Sequence, residues 1–150
     1  MIKIICVGKI KEQYLKDAIE EYKKRLSKYI KLEIIELQDV DYDIKKTLEI
    51  EKNNIINHIK NTDYNILLDI NGKELTSIEF SNTIDKIRNN YSNINFIIGG
   101  SYGVHDDIKN MVNERISFSK LTFPHQLFRV ILLEQIYRSF KILNNEEYHK

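Results

Sequence analysis

Phe96-Ile97-Ile98-Gly99-Gly100-Ser101-Tyr102-Gly103 is the stretch of this 150-residue chain on which its fold turns. An apolar run of strand length that stops at paired glycines predicts a buried strand. The glycines mark either a sharp corner or backbone that a ligand approaches closely. A second segment, Phe118-Ser119-Lys120-Leu121-Thr122-Phe123-Pro124-His125-Gln126, holds the only proline and opens onto a long apolar helix. Polar and aromatic groups around a fixed turn are what a small-molecule pocket needs. The expectation is that these two segments meet in the fold and make one binding site.

Outward from this pair, strands and helices alternate. Ile2, Ile4, Ile5 and Val7 predict a first strand, followed by a helix from about Lys11 with Leu15, Ala18, Ile19, Tyr22, Leu26 and Tyr29 on one face. Lys16, Lys23, Lys24 and Lys28, set among Glu20 and Glu21, mark its opposite face as solvated. Leu32 to Leu37 form a second strand. Asp41 or Asp43 caps a second helix with Ile44, Leu48, Ile55 and Ile59 near one face. A third strand, Ile66 to Ile70, closes at Asn71-Gly72. Thr76 and Glu79 have the spacing of a capping box ahead of a helix burying Phe80, Ile84 and Ile87. Ile94 to Ile98 form the fourth strand, Asp106 and Asp107 start a fourth helix, and Ile116 to Ser119 form a short fifth strand. A final helix spans about Gln126 to Leu143. The third and fourth strands are apolar on both faces, so the pattern predicts an α/β fold: one domain over 1–150, with a mostly parallel sheet and helices on both faces.

Leu127, Phe128, Val130, Ile131, Leu132 and Leu133 leave the final helix almost no polar face in its first turns, which predicts a homodimer built on it. Cys6, the only cysteine, sits mid-strand and is expected to be a buried reduced thiol. The formal net charge of +1 gives no global attraction to nucleic acid, so any RNA contact must be local. The first strand is interrupted by Lys3, and no apolar run approaches the roughly 20 residues of a membrane helix, so a cytoplasmic protein without a membrane partner is expected. No metal is expected either, because His105-Asp106-Asp107, adjacent at a helix start, do not converge as ligands.

In open α/β sheets ligands lie beyond the carboxyl ends of the strands. Val7-Gly8-Lys9-Ile10-Lys11 lacks the glycine pattern of a dinucleotide turn. There is no Walker-type phosphate loop, and no acidic group follows the first strand as a phosphoacceptor would require. What remains is a nucleoside-sized ligand held mainly by backbone groups of the later loops.

Leu68-Asp69-Ile70-Asn71-Gly72-Lys73, Ile98-Gly99-Gly100-Ser101-Tyr102-Gly103, Phe118 to His125, and Glu134-Gln135-Ile136-Tyr137-Arg138 occur in that order ahead of Tyr148-His149-Lys150. In these motifs and in its length the chain resembles the ribosomal RNA large-subunit methyltransferase H family, of the SPOUT type. The resemblance implies a carboxy-terminal trefoil knot, an exception to the usual unknotted topology. It also implies methyl transfer from S-adenosylmethionine to the ring nitrogen between the two carbonyls of a pseudouridine, in large-subunit ribosomal RNA of assembled ribosomes. Cofactor contacts carried over by motif fall on Leu68, Gly99, Phe118, Ser119, Lys120, Leu121, Thr122 and Phe123. The acceptor is an imide, protonated at neutral pH, so its anion must be generated and stabilised by a base or a nearby cation. His149, Arg138 and His125 are the catalytic candidates, and Tyr148, Lys150 and Arg129 the substrate-binding ones. His149 leads, because a mobile tail can close over a substrate presented by a large particle. The alternatives are a knotted methyltransferase acting on transfer RNA and a non-catalytic nucleotide-binding module.

Overall fold

A computed structural model describes residues 1–150. The elements run β1 (Ile2–Val7), α1 (Gln13–Leu26), β2 (Leu32–Leu37), α2 (Ile44–Ile56), β3 (Tyr64–Glu74), α3 (Ser77–Arg88), β4 (Ile94–Ile98), α4 (Asp106–Met111), β5 (Glu114–Ser117) and α5 (His125–Leu143). The five strands form one sheet in the order β2-β1-β4-β3-β5, parallel throughout. All five residues of β4 are buried: four are apolar, and the side-chain amide of Asn95 donates to Asp63 and Asn65.

Because successive strand residues point to opposite faces, the apolar runs divide into two cores. Ile2, Ile4, Ile66, Ile94, Phe96 and Ile98 pack beneath α1, α3 and α5 with Ile19, Leu26, Phe80, Ile84, Leu132, Leu133, Ile136 and Phe140. On the other face Ile5, Leu67 and Ile97 meet Ile55 of α2 and Ile108 of α4. Cys6 is a buried free thiol. Burial, first among the causes, pushes its pKa up to about 11. Thr76 accepts from the Glu79 amide while the Glu79 carboxylate accepts from the Thr76 amide, completing the expected capping box. No helix is long and apolar enough to cross a membrane.

Four details differ from the sequence reading. β3 does not end at Asn71-Gly72: it bulges outward after Leu68 and resumes at Lys73 against Ile116 of β5. A Cβ on Gly72 would lie 2.7 Å from the Arg115 carbonyl carbon, so the glycine serves close strand approach. β5 lies at Glu114–Ser117 and not at 116–119. The Ser117 hydroxyl donates to Ser119 O and the Leu121 amide donates to Ser119 Oγ, local bonds that end the ladder. On α2 the buried residues are Thr47, Glu51 and Ile55, while Ile44 is exposed. Helical side chains tilt toward the N-terminus, which carries a first-turn residue past the edge of the sheet. Finally, much of the cover expected from a second subunit on α5 comes from α1 and α3. Leu132, Leu133, Ile136 and Phe140 are at most 1% exposed within a single chain, whereas Leu127 is 38% exposed.

Candidate active site

A cavity of about 420 Å³ opens at the carboxyl ends of β3, β4 and β5. Its size falls in the range of small-molecule sites. The β3 bulge contributes Leu68 to Asn71, the corner after β4 contributes Gly99 to Val104, and the proline-bearing segment contributes Phe118, Ser119, Leu121, Thr122 and Phe123. His125 and Phe128, from the first turn of α5, complete the wall. The two segments that opened the sequence reading therefore face one another across one cavity. Of the residues carried over as cofactor contacts, Lys120 alone is absent from the lining.

The corner after β4 is tight. The Gly103 amide donates to Gly100 O at 3.1 Å, and Gly103 takes a φ of 75°, the left-handed region that suits glycine. At Gly99 a Cβ would sit 2.6 Å from Gly103 O and 2.7 Å from Val104 Cγ1. Gly99 was expected to be small so that a ligand can approach, but the immediate reason is that its own corner folds back on it.

The opposing segment is held by aromatic contacts. Phe118 packs edge-on against Phe80 and Phe128 at 5.4 and 5.3 Å, and Phe123 stacks on Phe128 at 6.3 Å. Its main chain is largely unpaired. From Ser119 to Phe123 only Ser119 O and the Leu121 amide find partners within the chain. Backbone groups that face a cavity without partners are ready for a ligand's donors and acceptors.

The charged candidates divide. His125 lines the cavity, and burial, then the Arg129 charge, lowers its pKa, with Asp39 opposing. It is therefore neutral at neutral pH and able to accept a proton. Arg129, expected to reach substrate, is 1% exposed. It donates to Glu36 at 2.8 Å, to Val7 O at 2.9 Å and to Gly8 O at 2.7 Å, so it is a buried tie between α5 and the end of β1. Arg138, Tyr148 and His149 gather elsewhere. Arg138 donates to both carboxylate oxygens of Glu134, at 2.9 and 3.3 Å, and lies 3.1 Å from His149 Nδ1. Tyr148 donates to Glu134 at 2.8 Å and packs on Tyr137 at 5.1 Å. Burial, with the Glu134 carboxylate, pushes its phenol up to about 12, so it remains a protonated donor. The tail is docked on α5, where a mobile one was expected. His149 and Lys150 are exposed. None of these tail groups lines the cavity of its own chain, and Arg138 lies thirteen helical residues, roughly 20 Å, beyond His125.

Sequence reasoning missed Lys109 and Phe128 as lining residues and marked Asp69 and Asn71 only as part of the end of the third strand. Asp69 accepts from the Asn71 amide at 3.0 Å and stands 3.5 Å from Arg115, which fixes the bulge. Its place just past a buried strand run was the available signal.

A family model described as Predicted SPOUT methyltransferase matches residues 1–149. The Ribosomal RNA large subunit methyltransferase H of Caldicellulosiruptor saccharolyticus is 50% identical over the full length of both chains. The proteins of the same name from Clostridium botulinum (strain Kyoto) and Clostridium tetani are 52% and 51% identical, each over 99% of both chains. On this match along its length, the chain belongs to the SPOUT methyltransferases, and within them to the ribosomal RNA large subunit methyltransferase H family.

Proposed function

We propose that the chain, acting as one domain, transfers a methyl group from S-adenosylmethionine to the ring nitrogen between the two carbonyls (N3) of a pseudouridine. The substrate is large-subunit ribosomal RNA within assembled ribosomes, so the protein works in the cytoplasm. The observation that carries this reading is the run Ser119 to Phe123, whose main chain is largely unpaired and which, through Ser119, Leu121, Thr122 and Phe123, lines a nucleoside-sized cavity together with the diglycine corner. Such a wall suits adenine, which needs donors and acceptors at fixed positions between apolar surfaces; Leu68, Ile98 and Phe123 supply those surfaces. The family's trefoil knot, in which the terminal segment passes through these loops, would explain why segments so far apart in sequence close on one ligand.

S-adenosylmethionine supplies an electrophilic methyl group on a sulfonium. The chain's own work is alignment and the handling of one proton. As the nitrogen–carbon bond forms and the carbon–sulfur bond breaks, the imide proton must leave. Neutral His125 at the cavity wall can accept it, and the Arg138–His149 pair offers positive charge to the developing anion.

That pair reaches a cavity only if the protein is a homodimer. Leu127, Ile131, Glu134 and Arg138, spaced by three and four, run along one stripe of α5 from the cavity end to the tail cluster. Two copies of α5 packed antiparallel about a two-fold axis would set the Arg138 end of one beside the Leu127 end of the other. Exposed Leu127 supplies apolar surface at one end of that stripe.

The test is incubation of unmodified ribosomes with the protein and S-adenosylmethionine, followed by mass spectrometry of the ribosomal RNA. One added methyl group on a pseudouridine is expected. Methylation of free transfer RNA in place of ribosomes would overturn the substrate, and failure to bind S-adenosylmethionine in the micromolar range by calorimetry would overturn the enzyme.

A further inference from the structure

At the carboxyl edge of the sheet β4 stands between β1 on one side and β3 on the other. The chain leaves β4 for α4 on one face, whereas β1 and β3 lead to α1 and α3 on the other. Loops diverging to opposite faces open a crevice between neighbouring strand ends. The cavity described above takes the β3 side. On the β1 side stand Gly8, Gly100, His125 and, from α2, Glu51.

Glu51 is the unusual group. It is 6% exposed, and no hydrogen bond or ion pair within the chain satisfies it; the one charge it feels is Asp39, of like sign. The side chain is enclosed while its two oxygens keep some access to solvent, and no donor of the chain reaches them. Its two oxygens lie 3.1 and 3.2 Å from the point a Cβ on Gly100 would occupy, so it stands directly behind a residue that lines the cavity. Burial, then Asp39, pushes its pKa above the ordinary range, so a cation arriving there would relieve an existing penalty. Arg129, the cation beside Gly8, is already bonded to Glu36, Val7 O and Gly8 O.

We propose that Glu51 binds the α-ammonium group of the methyl donor's amino-acid chain. The adenosine then lies on the β3 side of β4, and the amino-acid end passes Gly100 into the β1 crevice, where Asp39 adds negative potential. The sulfonium falls between them, at the diglycine corner and near His125. This inference rests on the methyltransferase reading and extends it to the other half of the donor.

Two ligands separate the halves. S-adenosylhomocysteine carries the amino-acid chain and 5′-methylthioadenosine lacks it, so calorimetric titration of both reads the subsite directly. In Glu51→Gln the affinity for S-adenosylhomocysteine should fall about ten- to hundredfold, the loss expected for a charge-assisted hydrogen bond. The affinity for 5′-methylthioadenosine should match the unaltered protein, which also shows that the variant is folded with its adenosine pocket intact. Equal binding of S-adenosylhomocysteine by both proteins would overturn the assignment. A parallel loss of both ligands would also overturn it, by showing that Glu51 merely supports the corner. Binding of neither compound by the unaltered protein would instead sink the methyltransferase reading itself.

Discussion

Gly99→Ala is the sharpest test of the corner after β4. The new Cβ would stand 2.6 Å from Gly103 O where ordinary contact begins at 3.4 Å, so something must retreat by about 0.8 Å. The obstructing oxygen is main chain and cannot rotate away. It belongs to Gly103, whose amide closes the corner onto Gly100 O at 3.1 Å. Overpacking of this kind costs about 1–3 kcal/mol, and one weakened hydrogen bond adds about 1 kcal/mol. At roughly 2–4 °C per kcal/mol for a chain of this size, Tm should fall by about 4–16 °C. Because the displaced corner is a wall of the cavity, affinity for S-adenosylhomocysteine should fall with it, by about tenfold or more. Thermal melting followed by circular dichroism gives the first quantity and calorimetric titration the second. Gly103→Ala is the control: nothing lies within 4 Å of its Cβ, and only its φ of 75° is strained, at about 1–2 kcal/mol. Gly103→Asn should lose less, since asparagine tolerates that conformation. Unchanged melting and affinity in Gly99→Ala, or greater damage from Gly103→Ala, would refute the reasoning.

Arg129→Met should destabilise by about 3–5 kcal/mol in urea titration, because Glu36 and the carbonyls of Val7 and Gly8 lose their donor. Arg129→Lys should rescue little, since an ammonium cannot span three acceptors in a plane; a loss under about 1 kcal/mol in both would contradict the buried tie. Removing Tyr148 to Lys150 should slow ribosome methylation about tenfold or more while leaving S-adenosylhomocysteine affinity intact, and normal turnover would reject a role for the tail. Glu51→Gln should raise Tm at pH 7 without ligand. The carboxyl's folded pKa is raised above its unfolded value, so the folded state binds the extra proton and Glu51 costs stability as pH climbs through that interval and beyond. Below the unfolded value the advantage should vanish; a lower Tm at pH 7 would show an unseen partner for the carboxylate.

The sheet was legible because its signals are local. Ile2–Val7, Leu32–Leu37 and Ile94–Ile98 stand where the apolar runs put them. The capping box at Thr76 needed only the spacing of two residues. What failed depended on partners distant in sequence. The end of β3 was misplaced because the strand resumes only where β5 is there to pair with it, some forty residues later. Arg129 was expected at the substrate because nothing near it in sequence announces that Glu36 and the end of β1 will enclose it.

The site divides along the same line. The diglycine corner and the proline-bearing segment announced themselves by composition, since a corner that tight admits few residues and a proline fixes its turn. Glu51 gave no such signal. On α2 it is one charged residue among several, and only the packing of that helix against the ends of β1 and β4 buries it without a partner. A carboxyl in that position opposes folding, so selection for stability alone would favour a neutral residue there. Its presence is accounted for if the cost is offset in the bound state, where a ligand's cation meets it. The end of the pocket proposed for adenosine could be read from motifs because its walls are set by local turns. The other end could not, because its proposed contact is a side chain delivered across the sheet.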